Sequence, residues 1–166
     1  MTGRAAELGA QYATVEEILE QPSPLPQRLQ QLCRHLCDHV SHYAAICLYA
    51  ALHDRPGELT LVAAAGRGPY PPAVTYGEGL RGRAADAGET AVAQNLAGAA
   101  EGGSGPWVAS QVAVPLRCAG SLIGLLAVDS DRPAPFQPED ELFLENVGDL
   151  AAMRLGLAAV PGNRSD

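Results

Sequence analysis

The chain contains no lysine: its 11 strongly basic side chains are all arginines, set against 19 carboxylates for a net charge of −8. A field of that sign repels phosphate backbones and anionic lipid, which excludes nucleic acid and a charged membrane surface as general partners. No apolar run approaches the roughly 20 residues that span a bilayer. The opening stretch, MTGRAAELGAQYATVEE, lacks the apolar core of a secretory signal. The 4 cysteines follow no disulfide framework. Together these absences predict a soluble, cytoplasmic protein. Catalytic signatures are missing as well: there is no Ser/His/Asp constellation, no His-Glu-x-x-His and no Walker sequence. No catalytic residue, metal or cofactor is therefore expected.

What is present describes a folded domain. Of 166 residues, 47% are apolar and 18% charged, enough to bury a core as one unit. The stretch Ser110 to Ser130 organises the rest. Val112–Leu116 and Leu122–Val128 are short runs of Val, Ile, Leu and Ala joined by Cys118-Ala119-Gly120-Ser121, a turn sequence. A hairpin so apolar needs cover on both faces and belongs inside a sheet.

Around it, residues 1 to 11 read as a loose leader, followed by a short helix capped by Thr14 with Glu17. Pro-rich 21–26 breaks it, and Ser23-Pro24 opens a second helix. Its residues Leu25, Leu29, Leu32, Leu36 and Val40 fall on one arc at about 100° per residue. Tyr43–Leu52 and Glu58–Ala65 predict a hairpin, Ala73–Tyr76 an edge strand, Leu80–Ala87 a small helix stopped by Gly88, and Thr90–Asn95 another strand. Residues 96–109 form a Gly-rich loop of the kind used as a lid. A long helix runs from Pro138 to Leu157 with Glu139, Asp140 and Glu141 at its positive end. Strands clustered between long helices predict an α+β fold. The expected divisions are a leader with a short helix over 1–22, the domain over 23–158 and a flexible tail over 159–166.

Three segments carry a likeness. Gly77-Glu-Gly-Leu-Arg-Gly-Arg-Ala-Ala-Asp-Ala-Gly-Glu-Thr, Val112-Ala-Val-Pro-Leu through Ile123-Gly-Leu-Leu-Ala-Val-Asp, and Phe136-Gln-Pro-Glu-Asp-Glu-Leu-Phe-Leu together resemble a GAF domain across about residues 25–157. The resemblance implies a central antiparallel sheet of five or six strands. Its N- and C-terminal helices would pack on one face, and a small-molecule pocket would lie on the other, roofed by residues 79–109. It also implies a homodimer through the terminal helices. Within the family, the Val-Asp-Ser end of the last strand is similar to the free methionine-(R)-sulfoxide reductases, which use cysteines in the roof. Their roof chemistry does not carry over. Arg81 stands where a cysteine is expected, the loop before Ser110 contains none, and Gln111 and Ala127 replace acids. Asp129 remains.

The resulting expectation is a non-catalytic sensor binding a small polar or anionic ligand and acting on a partner signalling protein. Its candidate site residues are Trp107, Arg81, Gln111 and Asp129. Trp107, the one tryptophan, lies in the roof loop or anchors that loop on the sheet. Arg81 binds an anion or pairs with Glu78 or Asp86. Gln111 and Asp129 share a sheet face by alternation, although Asp129 is also placed to cap the turn at Ser130-Asp131. The rivals are a reductase using non-standard cysteines, with Cys118 as the accessible thiol, and a ligand-free dimerisation module. A cyclic-nucleotide reading lacks its Asn-Lys…Asp-Glu pattern. Cys33, His35, Cys37, His39 and His42 suggest a metal set, but helical geometry puts the cysteines and histidines on opposed sides. Packing cysteines and surface histidines are expected instead, and Cys47 is read as core.

Overall fold

The computed structural model describes residues 3–52, 54–96 and 105–159. These form, in order, α1 (Arg4–Glu20), α2 (Leu25–His39), β1 (Ala45–Ala51), β2 (Glu58–Gly66), β3 (Ala73–Thr75), α3 (Gly79–Ala87), β4 (Ala91–Ala93), β5 (Ser110–Cys118), β6 (Ser121–Ser130) and α4 (Pro138–Ala159). The strands make one antiparallel sheet in the order β3-β2-β1-β6-β5-β4. The fold is α+β, as the sequence predicts. Among the described residues, no helix is long and apolar enough to cross a membrane.

Alternation along the strands divides the interior into two layers. Ile46, Leu48, Val112, Val114, Leu116, Leu126 and Val128 face α1, α2 and α4 and build the larger core with Leu29, Leu32, Leu36, Phe143, Leu144 and Val147. The opposite face carries Cys47, Tyr49, Ala113, Leu125 and Ala127, and α3 lays Ala84 and Ala85 against it. Strands β1 and β6 approach closely because position 124 is glycine, where a Cβ would run into the Tyr49 carbonyl. The β5–β6 turn places Ala119 at φ 53° and Gly120 at φ 81°, the pair of positive φ values that a two-residue hairpin with right-handed twist demands.

Two expectations about the N-terminal half change. Residues from Arg4 onward are already helical, so the loose leader and the Thr14 cap are replaced by one 17-residue helix. Thr14 lies inside it, its hydroxyl donating to the Ala10 carbonyl at 3.3 Å. The reason is packing: Leu8, Val15, Ile18 and Leu19 are all buried, the recurrence of a helix face. His42 is likewise not on a helix surface. Helix α2 stops at His39, and His42 turns inward at 5% exposure.

There it meets a buried anchor. Asp140 is 0% exposed and accepts hydrogen bonds from His42 Nε2 at 2.7 Å, Tyr43 Oη at 2.8 Å, Arg4 Nη1 at 2.8 Å and the Gln137 N–H at 2.9 Å. The last bond is one half of a capping box, the third helical residue reaching back to the residue before the helix. Burial alone would raise the Asp140 pKa. The bonds from His42, Gln137 and Tyr43 outweigh it and hold the carboxyl below its usual range. One carboxylate thus ties α1, the α2–β1 connection and α4 together.

Candidate ligand site

Helix α3 crosses the sheet face that the other helices leave open. Glycines at Gly77 (φ 84°), Gly79 (φ 67°) and Gly88 (φ 68°) turn the chain at its two ends. Its buried residues are Arg81, Gly82, Ala84 and Ala85, so Arg81 is the one long side chain it plants in the interior. Gly82 lets the helix sit directly on β3, since a Cβ there would strike the Thr75 carbonyl.

Arg81 meets two residues of the sheet. Its Nη2 donates to Asp129 Oδ2 at 2.9 Å, and Gln111 Nε2 donates to Asp129 Oδ1 at 3.1 Å. Gln111 and Asp129 are directly opposed in the β5–β6 register. The exposures of Arg81, Gln111 and Asp129 are 6%, 3% and 3%. Burial opposes the guanidinium charge, and the Asp129 carboxylate outweighs it, so the Arg81 pKa is raised. Tyr49 completes the group. Its ring centre lies 5.9 Å from the Arg81 guanidinium carbon, and its hydroxyl donates to the Pro71 carbonyl at 2.8 Å. Cys47, on the same face, has its thiol pushed up to about 11 by burial, against the pull of Arg81 and with the push of Asp129. A cavity of about 130 Å³ adjoins this cluster, lined by Val74, Thr75, Glu78, Leu80, Arg81 and Gln111 among others.

Three of the candidate residues thus converge from α3, β5 and β6. Asp129 faces Arg81 and Gln111, while the following turn is held by Ser130, whose Oγ accepts the Arg132 N–H at 3.2 Å. Trp107 is elsewhere. Its Nε1 donates to the Gly68 carbonyl at 3.0 Å, and Arg67 stacks on its ring at 4.8 Å, so it fastens its loop to the β2–β3 connection. Most of the expected roof loop, residues 97–104, lies outside the described residues. Tyr49 and Cys47 escaped the sequence reading as site residues. The alternation in Cys47-Leu48-Tyr49 already separates them from Ile46 and Leu48, and that was the signal for them.

A scan of family models matches the GAF domain over residues 24–155. The chain belongs to the GAF domain family. No curated protein gives a significant match. Solved structures similar to this GAF chain include the free methionine-R-sulfoxide reductase of Neisseria meningitidis in complex with its substrate. That structure is 22% identical, covers 94% of this chain and 92% of its own, and gives a TM-score of 0.83. The type II free methionine-R-sulfoxide reductase of Thermoplasma acidophilum is 27% identical over 80% of this chain and 92% of its own, with a TM-score of 0.72. The GAF domain of an Acinetobacter phosphoenolpyruvate-protein phosphotransferase is 20% identical over 98% and 99%, with a TM-score of 0.80. At such identities the likeness establishes the shared fold.

The cysteines of this GAF domain are spread through the fold. Cys118 lies at the far end of β5 from Gln111, seven residues along the strand, which is roughly 23 Å at the rise of extended chain. Its sulfur packs towards Gly156 of α4, on the other side of the sheet. Burial raises the Cys33 pKa and pushes that of Cys37 up to about 12. Among the described residues, no group of His, Cys, Asp and Glu is arranged to hold a metal ion. His35 is bound to Gln11 at 2.6 Å and stacks on His39 at 4.1 Å.

Proposed function

We propose that this GAF domain is a non-catalytic sensor whose small polar or anionic ligand binds beside Arg81, Gln111 and Asp129. One observation carries the reading: three buried polar side chains meet beside a cavity, on the sheet face away from the terminal helices. Convergent polar groups in an otherwise apolar concavity are the usual construction of a small-molecule site. Of the two charge classes, a neutral polar ligand fits better, because an anion must compete with Asp129 for Arg81. Occupancy would shift the balance between arrangements of α3 and the loop beside it, and a signalling partner would read that balance.

The domain acts as a homodimer through α1 and α4. Leu142 and Met153, 60% and 57% exposed on α4, support that reading as apolar surface left uncovered. The reductase reading is weaker, because sulfoxide chemistry needs a thiolate with a resolving thiol nearby. Cys118 is far from the cluster, and Cys47 is held as a thiol.

Native mass spectrometry of the purified protein, followed by thermal-shift screening of metabolites that include methionine sulfoxide, nitrate and cyclic nucleotides, tests the proposal. The expected result is saturable stabilisation by a polar compound that weakens at least tenfold in Gln111→Ala. A chain that binds nothing in the screen and carries nothing when purified is a structural module. Turnover of methionine sulfoxide lost in Cys118→Ser would establish the enzyme instead.

A further inference from the structure

We infer that Asp129, Gln111 and Tyr49 form a guanidinium receptor whose resident occupant is Arg81, so that α3 is a latch closed over its own ligand site. The inference rests on the sensor reading for the location of the site and adds how that site is closed. Each part of a receptor is present. Asp129 supplies the carboxylate, 2.9 Å from Arg81 Nη2. Gln111 holds the other carboxylate oxygen at 3.1 Å and fixes its orientation. Tyr49 presents a ring to the cation, pinned through its hydroxyl to Pro71. A planar cation held by a carboxylate and an aromatic face is the recognition that guanidinium favours.

Little room is left beside the resident side chain. Small-molecule pockets enclose about 300–1,000 Å³, and the space left beside Arg81 is about 130 Å³. A larger ligand enters when the guanidinium leaves. The helix that carries Arg81 is built to let go. It is 9 residues long, has no side-chain cap at its start, and is flanked by glycines in left-handed backbone. Apart from Arg81 it buries only Gly82 and two alanines. Because Arg81 is tethered, its effective concentration at Asp129 far exceeds that of a dilute free cation. Free guanidinium compounds therefore leave the native chain unaffected, while a polar ligand that brings its own hydrogen-bond donors to Asp129, together with further contacts, displaces the arginine.

Arg81→Ala, titrated with methylguanidinium in the low millimolar range, tests the receptor. The expected result is a saturable rise in melting temperature in Arg81→Ala, absent from the unmodified chain and from the Arg81→Ala/Asp129→Asn double variant. A folded Arg81→Ala protein that ignores methylguanidinium overturns the receptor. Amide exchange in Asp129→Asn, which keeps Arg81, tests the latch even where Arg81→Ala does not fold. Exchange in residues 81–87 should rise at least tenfold, with α4 unchanged. Unchanged protection of α3 overturns the latch. Rescue of Arg81→Ala without any metabolite binding to the native chain would leave the receptor standing and remove the sensor. A metabolite bound by the native chain with α3 protection unaltered would leave the sensor standing and overturn the latch.

Discussion

Replacing Asp140 with alanine removes the one acceptor that Arg4, His42, Tyr43 and the Gln137 N–H share. Two of the donors are stranded in the interior, Tyr43 at 1% exposure and His42 at 5%. Arg4, with 28% of its side chain exposed, recovers water and adds little. Leaving a buried donor without its acceptor costs about 1–3 kcal/mol, so the two stranded donors together cost about 2–6 kcal/mol, a large share of the roughly 5–15 kcal/mol that holds a domain folded. At about 2–4 °C per kcal/mol for a chain of this size, the melting temperature should fall by roughly 4–24 °C. Thermal and urea unfolding followed by circular dichroism at pH 7 measure this. Asp140→Asn keeps an amide oxygen to accept one bond and should lose less. The pH dependence has a definite sign. A carboxyl held below its unfolded pKa contributes fully above about pH 4 and loses that contribution as pH falls through its lower folded value. The groups facing it are Arg4, His42 and Tyr43. The stability gap between the native chain and Asp140→Asn, present at pH 6, should therefore close below about pH 4. An Asp140→Ala protein within about 1 kcal/mol of the native chain would refute the anchor, since that is no more than one ordinary hydrogen bond.

Thiol labelling gives a second prediction. Under native conditions Cys118, half-buried at a strand end, should react with a maleimide well before Cys33, Cys37 and Cys47, whose thiols burial holds protonated. Peptide mapping after a short pulse checks the order, and early labelling of Cys47 would show the site face to be open. At the β5–β6 turn, Ala119→Asn should stabilise the fold by about 0.5–1 kcal/mol, because asparagine tolerates the positive φ that alanine endures there. A change of zero or the opposite sign in urea unfolding would show that the turn is not strained.

The sheet was legible because its signals are local. Each strand is a run of β-branched and small apolar residues between turn formers, and Gly88 stops α3 where a left-handed residue is needed. That Gln111 and Asp129 share a sheet face follows from alternation along β5 and β6; their direct pairing is a matter of register. The partner of Arg81 did not follow. Nothing in the spacing of Gly79–Ala87 says that the guanidinium reaches a strand 48 residues later rather than Glu78 or Asp86. In the sequence Asp140 is one more acid at a helix start, since three in a row look alike and only packing selects the one that turns inward. The extent of α1 is hidden for a different reason. The spacing of Leu8, Val15 and Leu19 was visible, but the small residues between them gave it little weight until α4 was there to cover it.

The sheet order has a consequence for how the chain comes together. Strand β1 pairs on one side with β2, its neighbour in sequence, and on the other with β6, where Ala45 meets Asp129. During synthesis the first hairpin therefore emerges with one edge of β1 unpaired, and it stays so until almost the whole domain has been made. An open apolar edge is a template for wrong partners, and contacts so distant along the chain slow folding. Helix α2, which packs on the face of β1 and β2 and leaves the ribosome before them, covers that apolar face while the edge waits for β6.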